Sequence, residues 1–190
     1  MEILKKYFDE IKHIRKEDWE YFASKIETKI FQKKENIIEA GKIENYISFI
    51  QKGKTRLFIP QEEEDKEITF GFSFSGEFIS AYDSFLTRTP SQYQIEALSQ
   101  THLWRISYDN LQKIYKKTDD GNFIGRIIAE KLFLIKSKRE LSLLHETAEE
   151  RYLNLFTERP NLFLEIPLKY IASYIGVTPQ ALSRIRKRIS

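Results

Sequence analysis

Residues 166–189 read IPLKYIASYIGVTPQALSRIRKRI, and the way this stretch folds decides the architecture of the chain. Leu168, Ile171, Ala172 and Ile175 recur at three- and four-residue spacing, which gathers them on one face of a helix. Gly176 follows, the residue for which a left-handed helix end costs least. Thr178 can cap a second helix through its hydroxyl, and Pro179 suits that helix's first turn. Ala181, Leu182 and Ile185 give the second helix an apolar side, with Ile189 near its end. Its other side carries Gln180, Ser183, Arg184, Lys187 and Arg188. From Ile166 onward the charges are Lys169, Arg184, Arg186, Lys187 and Arg188, with no acid among them. A helix of this kind can enter a DNA major groove, offset phosphate charge, and present Gln180 and Arg184 to base edges. An amphipathic helix with a solvated basic face accounts for the second helix alone. It does not account for the helix–Gly–Thr-Pro–helix order.

The rest of the chain bounds what this pair is attached to. A length of 190 residues fits one large or two small domains. A hydrophobic fraction of 41% and a charged fraction of 31% are ordinary for a soluble globular protein. The net charge is only +3, so the basic tail is a local feature rather than part of a polycation. Cysteine is absent, which excludes disulfides, thiolate metal sites, cysteine nucleophiles and cysteine-ligated iron–sulfur clusters. His13, His102 and His145 show no ligand spacing, and no metal is expected. No apolar run reaches the roughly 18 residues of a membrane span, and the start is charged rather than signal-like. The cytoplasm is the expected location. No nucleophile–base pair and no phosphate loop has motif spacing, so no enzymatic activity is expected.

Residues 3 to 30 are helical in pattern, with Ile3, Leu4, Phe8, Ile11 and Ile14 at helical intervals and a second helix over Lys16 to Ile26. From Thr28 to about Ser107 short strands take over: Ile43 to Lys52, then the Gly53 turn, then Thr55 to Ile59 stopped by Pro60. Gln61 to Lys66 is an acidic hairpin tip rather than a metal loop. Ile68 to Phe74 alternates, Gly76 turns the chain into Glu77 to Ile79, and Gln94 to Leu98 and His102 to Ile106 complete an antiparallel roll. Ser107 can cap a short helix from Tyr108 to Tyr115. A long helix follows, from about Asp120 to His145. Phe123, Ile127, Leu134, Leu141 and Leu144 form one seam; Ile124, Ile128, Leu132 and Ile135 form a second. Two seams need two partners. One is expected on the roll and the other on a second copy of the helix; a single broad buried face within a monomer is the alternative. Thr147 and Glu150 form a capping box, so a new helix starts directly behind the long one, at a bend. Arg151 to Phe156 continue it, and Asn161 to Glu165 reads as an extended connector. The fold class is α+β. An N-terminal antiparallel β-roll with flanking helices spans 1–118, a long dimerisation helix and hinge 119–146, and a helix-turn-helix 147–190.

This order resembles the catabolite activator/fumarate–nitrate regulator (CRP/FNR) family of transcription factors. The residues that carry the resemblance are Lys52-Gly-Lys-Thr-Arg-Leu-Phe-Ile59 and Phe74-Ser-Gly-Glu-Phe-Ile79 in the roll, and Ile171 to Ile185 in the helical pair. The resemblance implies a homodimer on a pseudo-palindromic double-stranded DNA site, with recognition helices roughly 34 Å apart. It implies base contacts from Pro179, Gln180 and Arg184, and phosphate contacts from Thr178, Ser183, Lys187, Lys169 and Ser173. RNA polymerase and a small-molecule effector are the other partners it implies. The family's cyclic-nucleotide-binding members carry a Gly-Glu pair and a phosphate-binding arginine. Here those positions fall on Ser80-Ala81 and on Ser91, with Arg88 offset by three residues. A buried phosphate without a charged partner is costly, so cyclic AMP binding by the family's mode is not expected, and no cofactor is. The aromatics Phe70, Phe72, Phe74, Phe78, Tyr82 and Phe85 fit a filled core better than a hydrophobic ligand site. The sequence ends at Ser190, so contacts from the hairpin wing that often follows in the family are not expected. A signal-binding module whose terminal helices grip protein rather than DNA is the competing reading.

Overall fold

The computed structural model describes residues 1–63 and 66–189. Glu64 and Asp65, in the expected acidic hairpin tip, lie outside the described residues. The chain packs as two compact units, one of Met1–Leu57 with Phe72–Lys131, the other of Phe58–Gly71 with Leu132–Ser190.

In the first unit, α1 (Glu2–Ile11) and α2 (Lys16–Ala23) precede β1 (Glu27–Phe31), β2 (Asn36–Ile38), β3 (Tyr46–Lys52) and β4 (Lys54–Ile59). After β5 (Ile68–Phe74) come β6 (Phe78–Ile79), α3 (Tyr82–Thr87), β7 (Gln94–Ala97), β8 (Thr101–Ser107) and α4 (Tyr108–Lys117). The strands form two four-stranded sheets, ordered β1-β8-β3-β6 and β2-β7-β4-β5, the roll expected from the sequence. Gly53, with φ near +118°, makes the β3–β4 turn. A Cβ there would come within 2.5 Å of the Thr101 hydroxyl, so no other residue fits.

The core of this unit is aromatic. Leu4 and Phe8, one helical turn apart on α1, meet Phe22 of α2 and Phe49 of β3. Phe8 packs edge-on to Phe22 at 4.9 Å, and Phe49 stacks on Trp104 at 6.0 Å. Phe78 lies 5.1 Å from Phe49 and Phe85 lies 5.3 Å from Tyr108. These rings fill one another's space, as expected for a core. At α5's start, Asp120 is buried and anchored by the Lys12 ammonium at 2.5 Å and the Arg15 backbone N–H at 3.2 Å. The Lys12 contact holds its carboxyl below the usual carboxylate range.

Helix α5 (Asp119–His145) is 27 residues long and spans the boundary between the units. Ile124 is buried in the roll's core and Ile128 packs against it. Beyond them stand Leu134, Leu141 and Leu144 of the other seam, exposed at 64%, 53% and 77%. Ile135 is exposed as well, so the second seam is buried only in its first half. The second unit continues with α6 (Ala148–Glu158), α7 (Leu162–Glu165), α8 (Leu168–Ile175) and α9 (Pro179–Ile189). The capping box is formed in full: Thr147 Oγ1 accepts from Glu150 N–H at 3.2 Å, and Glu150 accepts from Thr147 N–H at 2.7 Å.

Three expectations are corrected. Glu27 to Ile30 belong to β1, so the helical pattern expected to reach residue 30 stops earlier and the strand run expected from Thr28 begins one residue sooner, where Glu27 faces Arg105 across the ladder, 3.2 Å from its guanidinium. Asn161 to Glu165 is not extended but holds the single turn α7, which buries Leu162. The stretch from Tyr82 to Thr87 is helix α3 rather than part of a run of strands, and it ends on Arg88 at φ 59°.

Candidate nucleic-acid interface

The second unit presents the helical pair. Ile171, Ala172 and Ile175 of α8 and Leu182 and Ile185 of α9 are buried, so the apolar faces found in the sequence are used in their central residues, while Leu168 and Ile189 at their ends are exposed and Ala181 is half-buried. Gly176 ends α8 at φ 86°, its N–H shared between Ala172 and Ser173 carbonyls at 3.0 Å each. Thr178 Oγ1 accepts from Ala181 N–H at 3.2 Å, capping α9. Two arginines that sequence reasoning did not single out fasten this turn. Arg151 Nε donates to Ile175 O at 2.7 Å. Arg139 donates to Tyr174 O and lies 4.0 Å over that tyrosine's ring. Burial lowers the Arg139 guanidinium's pKa, and this residue carries no sequence motif that would have revealed it.

With Leu182 and Ile185 turned inward, Pro179, Gln180, Ser183, Arg184 and Lys187 are all exposed. Gln180, Ser183, Arg184 and Lys187 follow an i, i+3, i+4, i+7 series and share one helix face. Thr178 is exposed at the head of this face, and Lys169 is exposed on α8, its ammonium 5.0 Å over the Tyr170 ring. Arg188 is tied at 2.7 Å to Glu149 of α6, so an acid reaches the basic tail from outside its own stretch. Ser173 differs from the other seven. It is half-buried, its hydroxyl donates to Glu67 O at 2.7 Å, and it accepts from Thr69 N–H at 2.9 Å.

The roll's cassette is turned toward its own backbone. Ser91 is buried; its hydroxyl donates to Tyr93 O at 2.8 Å, and its backbone joins Gly41 and Lys42 at 2.7 and 2.9 Å. Arg88 donates to Glu44 O at 2.6 Å and lies 4.4 Å over the Tyr108 ring. The Glu44 side chain is buried at the head of α3, where it accepts from Tyr46 N–H at 2.9 Å and Ala81 N–H at 3.4 Å. Burial raises its pKa, against the lowering effect of those amides and of Arg105. Tyr93 donates to Asp83 at 2.6 Å, and burial pushes its phenol up. Among the described residues no cluster of acids and histidines could hold a metal ion, and no helix is long and apolar enough to cross a membrane.

Comparison with known proteins agrees with this architecture. Residues 28–118 match the cyclic nucleotide-binding domain family. No curated protein matches the sequence. The structure is similar to the c-di-GMP-responsive global regulator CLP of Xanthomonas campestris (16% identity, TM-score 0.71, covering 92% of this chain and 91% of that one). It is also similar to FixK2 of Bradyrhizobium japonicum (16% identity, TM-score 0.73, covering 86% and 84%). A third similar structure is a crp/fnr-family regulator of Eubacterium rectale, with 17% identity, a TM-score of 0.69 and coverage of 92% and 83%. Residues 28–118 therefore match the cyclic nucleotide-binding domain family over a little under half of the chain, and the chain as a whole has the fold of these regulators.

Proposed function

We propose that this chain is a homodimeric, sequence-specific DNA-binding transcription regulator of the CRP/FNR type that acts in the cytoplasm without cyclic AMP. The observation that carries the reading is the uncovered side of α9. Gln180, Ser183, Arg184 and Lys187 face solvent together, while the opposite side of the helix is buried. In this reading residues 1–118 are the sensor roll, 119–146 the dimerisation helix and hinge, and 147–190 the DNA-binding domain. Gln180 and Arg184 read base edges, Pro179 offers an apolar contact, and Thr178, Ser183, Lys187 and Lys169 hold phosphates. Dimerisation through the exposed Leu134, Leu141 and Leu144 supplies the second half-site, and RNA polymerase is the protein partner on DNA. Selection from a random-sequence duplex pool tests this: enrichment of a two-fold symmetric motif is expected, and no enrichment refutes it.

Cyclic AMP is excluded in this reading because the cassette offers its phosphate no free cation. Ser91 stands at the arginine position, Arg88 is held by backbone carbonyls, and the Glu44 carboxylate occupies the head of α3. Calorimetric titration with cyclic AMP should give no heat of binding, and micromolar affinity would overturn the argument. Cyclic di-GMP, to which CLP responds, is the second nucleotide to titrate. The competing reading, helices that grip protein, is favoured by Phe156 and Leu164, exposed at 50% and 86% in the same helical unit. It predicts that replacing Arg184 and Lys187 leaves DNA binding unchanged.

A further inference from the structure

We propose that the Ser173 hydroxyl is a latch holding the helical pair to the edge of strand β5, and that DNA and the latch compete for it. The inference rests on the DNA-binding reading above. Strand β5 stands last in its sheet's order among the described residues, an edge position. Backbone groups two residues apart point to the same side of a strand. Glu67 C=O, immediately before the strand, and Thr69 N–H, its second residue, are two residues apart in this way, and Ser173 meets both, at 2.7 and 2.9 Å. A serine hydroxyl has one donor. Here that donor goes to the Glu67 carbonyl. A phosphate oxygen only accepts, so Ser173 cannot serve a phosphate while latched. Ser173 lies four residues from Lys169, on the same face of α8. The latch therefore sits on the side of α8 to which the DNA reading assigns the backbone contacts. Lys136 of α5, 5.9 Å over the Phe70 ring, holds the same strand at the next residue.

The structure thus corresponds to a closed state, and DNA binding opens it. The test uses the full chain, its Thr69→Pro variant and a labelled random-sequence duplex. The substitution deletes one latch donor on an edge strand, where proline is tolerated, and removes no group assigned to DNA. Binding tightened by about threefold, a hydrogen bond's worth, supports the latch; equal or weaker binding by the folded variant overturns it. Amide hydrogen exchange of the unaltered chain is the second measurement and does not depend on the variant's folding. Saturating DNA should speed exchange at Thr69 by about tenfold, and unchanged or slower exchange overturns the latch. Failure of both proteins to bind any duplex overturns the DNA reading itself, and with it the latch as a competitor of DNA.

Discussion

Replacing Arg184 by alanine, with Lys187→Ala as its companion, separates reading from anchoring on one helix face. Both side chains are exposed, and neither replacement touches the buried Leu182 or Ile185, which are 1% and 5% accessible. The fold should therefore survive both. A bidentate arginine contact is worth about 1–3 kcal/mol of base discrimination. A dimer makes it twice, so Arg184→Ala should cost about 2–6 kcal/mol on the selected site, roughly 30-fold to 20,000-fold in Kd. The loss should fall on that site and largely spare random duplex. Lys187→Ala removes one phosphate neutralisation per half-site. The slope of log K against log salt should become shallower by about 0.9 per phosphate, about 1.8 per dimer. Its affinity loss should be nearly uniform across sequences. Fluorescence anisotropy over a salt series reads both quantities, with the exposed roll residue Lys33 as an alanine control. The reasoning fails if Arg184→Ala binds the selected site as tightly as the native chain. It also fails if Lys187→Ala and Lys33→Ala change the salt slope equally.

Leu134 and Leu144, exposed at 64% and 77%, should hold the dimer. Their double replacement by arginine is expected to give a folded monomer in sedimentation equilibrium, and a native chain that is already monomeric refutes the assignment. Thr147→Ala removes the hydroxyl half of the capping box and leaves the backbone N–H that Glu150 accepts from. It should lower the unfolding free energy of the helical unit by about 1 kcal/mol, read by thermal denaturation; an unchanged midpoint would mean the cap does not stabilise this helix start. Glu44 is an acid whose folded pKa is raised by burial above its ordinary 4.5. Its contribution is therefore fully present below that value and is lost as pH rises through the folded pKa. Glu44→Gln should flatten that alkaline-going loss in denaturant titrations across pH 4–7, and an identical pH profile would show that the carboxylate is not ionising at a cost.

How much of this molecule its sequence disclosed depends on the range of the signal. The helical pair was legible because each of its cues is local. The apolar spacing of Leu168 to Ile175, the Gly176 stop, the Thr178 cap and the Thr147–Glu150 box act within about four residues. The start of β1 was legible only in part, since the helical pattern was carried to residue 30 while Glu27 to Ile30 pair with β8, more than 70 residues later in the chain. Single-turn α7 and the cassette helix α3 were hidden for the same reason: their short runs are stabilised by what they bury rather than by propensity.

The same distinction applies to the sites. The exposed face of α9 could be listed residue by residue, because an i, i+3, i+4, i+7 series fixes which side chains share a side. Ser173 could be placed on α8 but its partner could not, since Glu67 and Thr69 lie about a hundred residues away. At the cassette, the resemblance sets Ser91 where the family's phosphate-binding arginine is expected. It gave no sign of which side chain meets the backbone at the head of α3. Glu44 reads as an ordinary loop acid, yet its carboxylate accepts from Ala81 N–H at the head of α3. A buried backbone N–H needs an acceptor, and here a side chain from more than thirty residues away in the chain supplies it, a pairing that no local pattern around Glu44 or Ala81 announces.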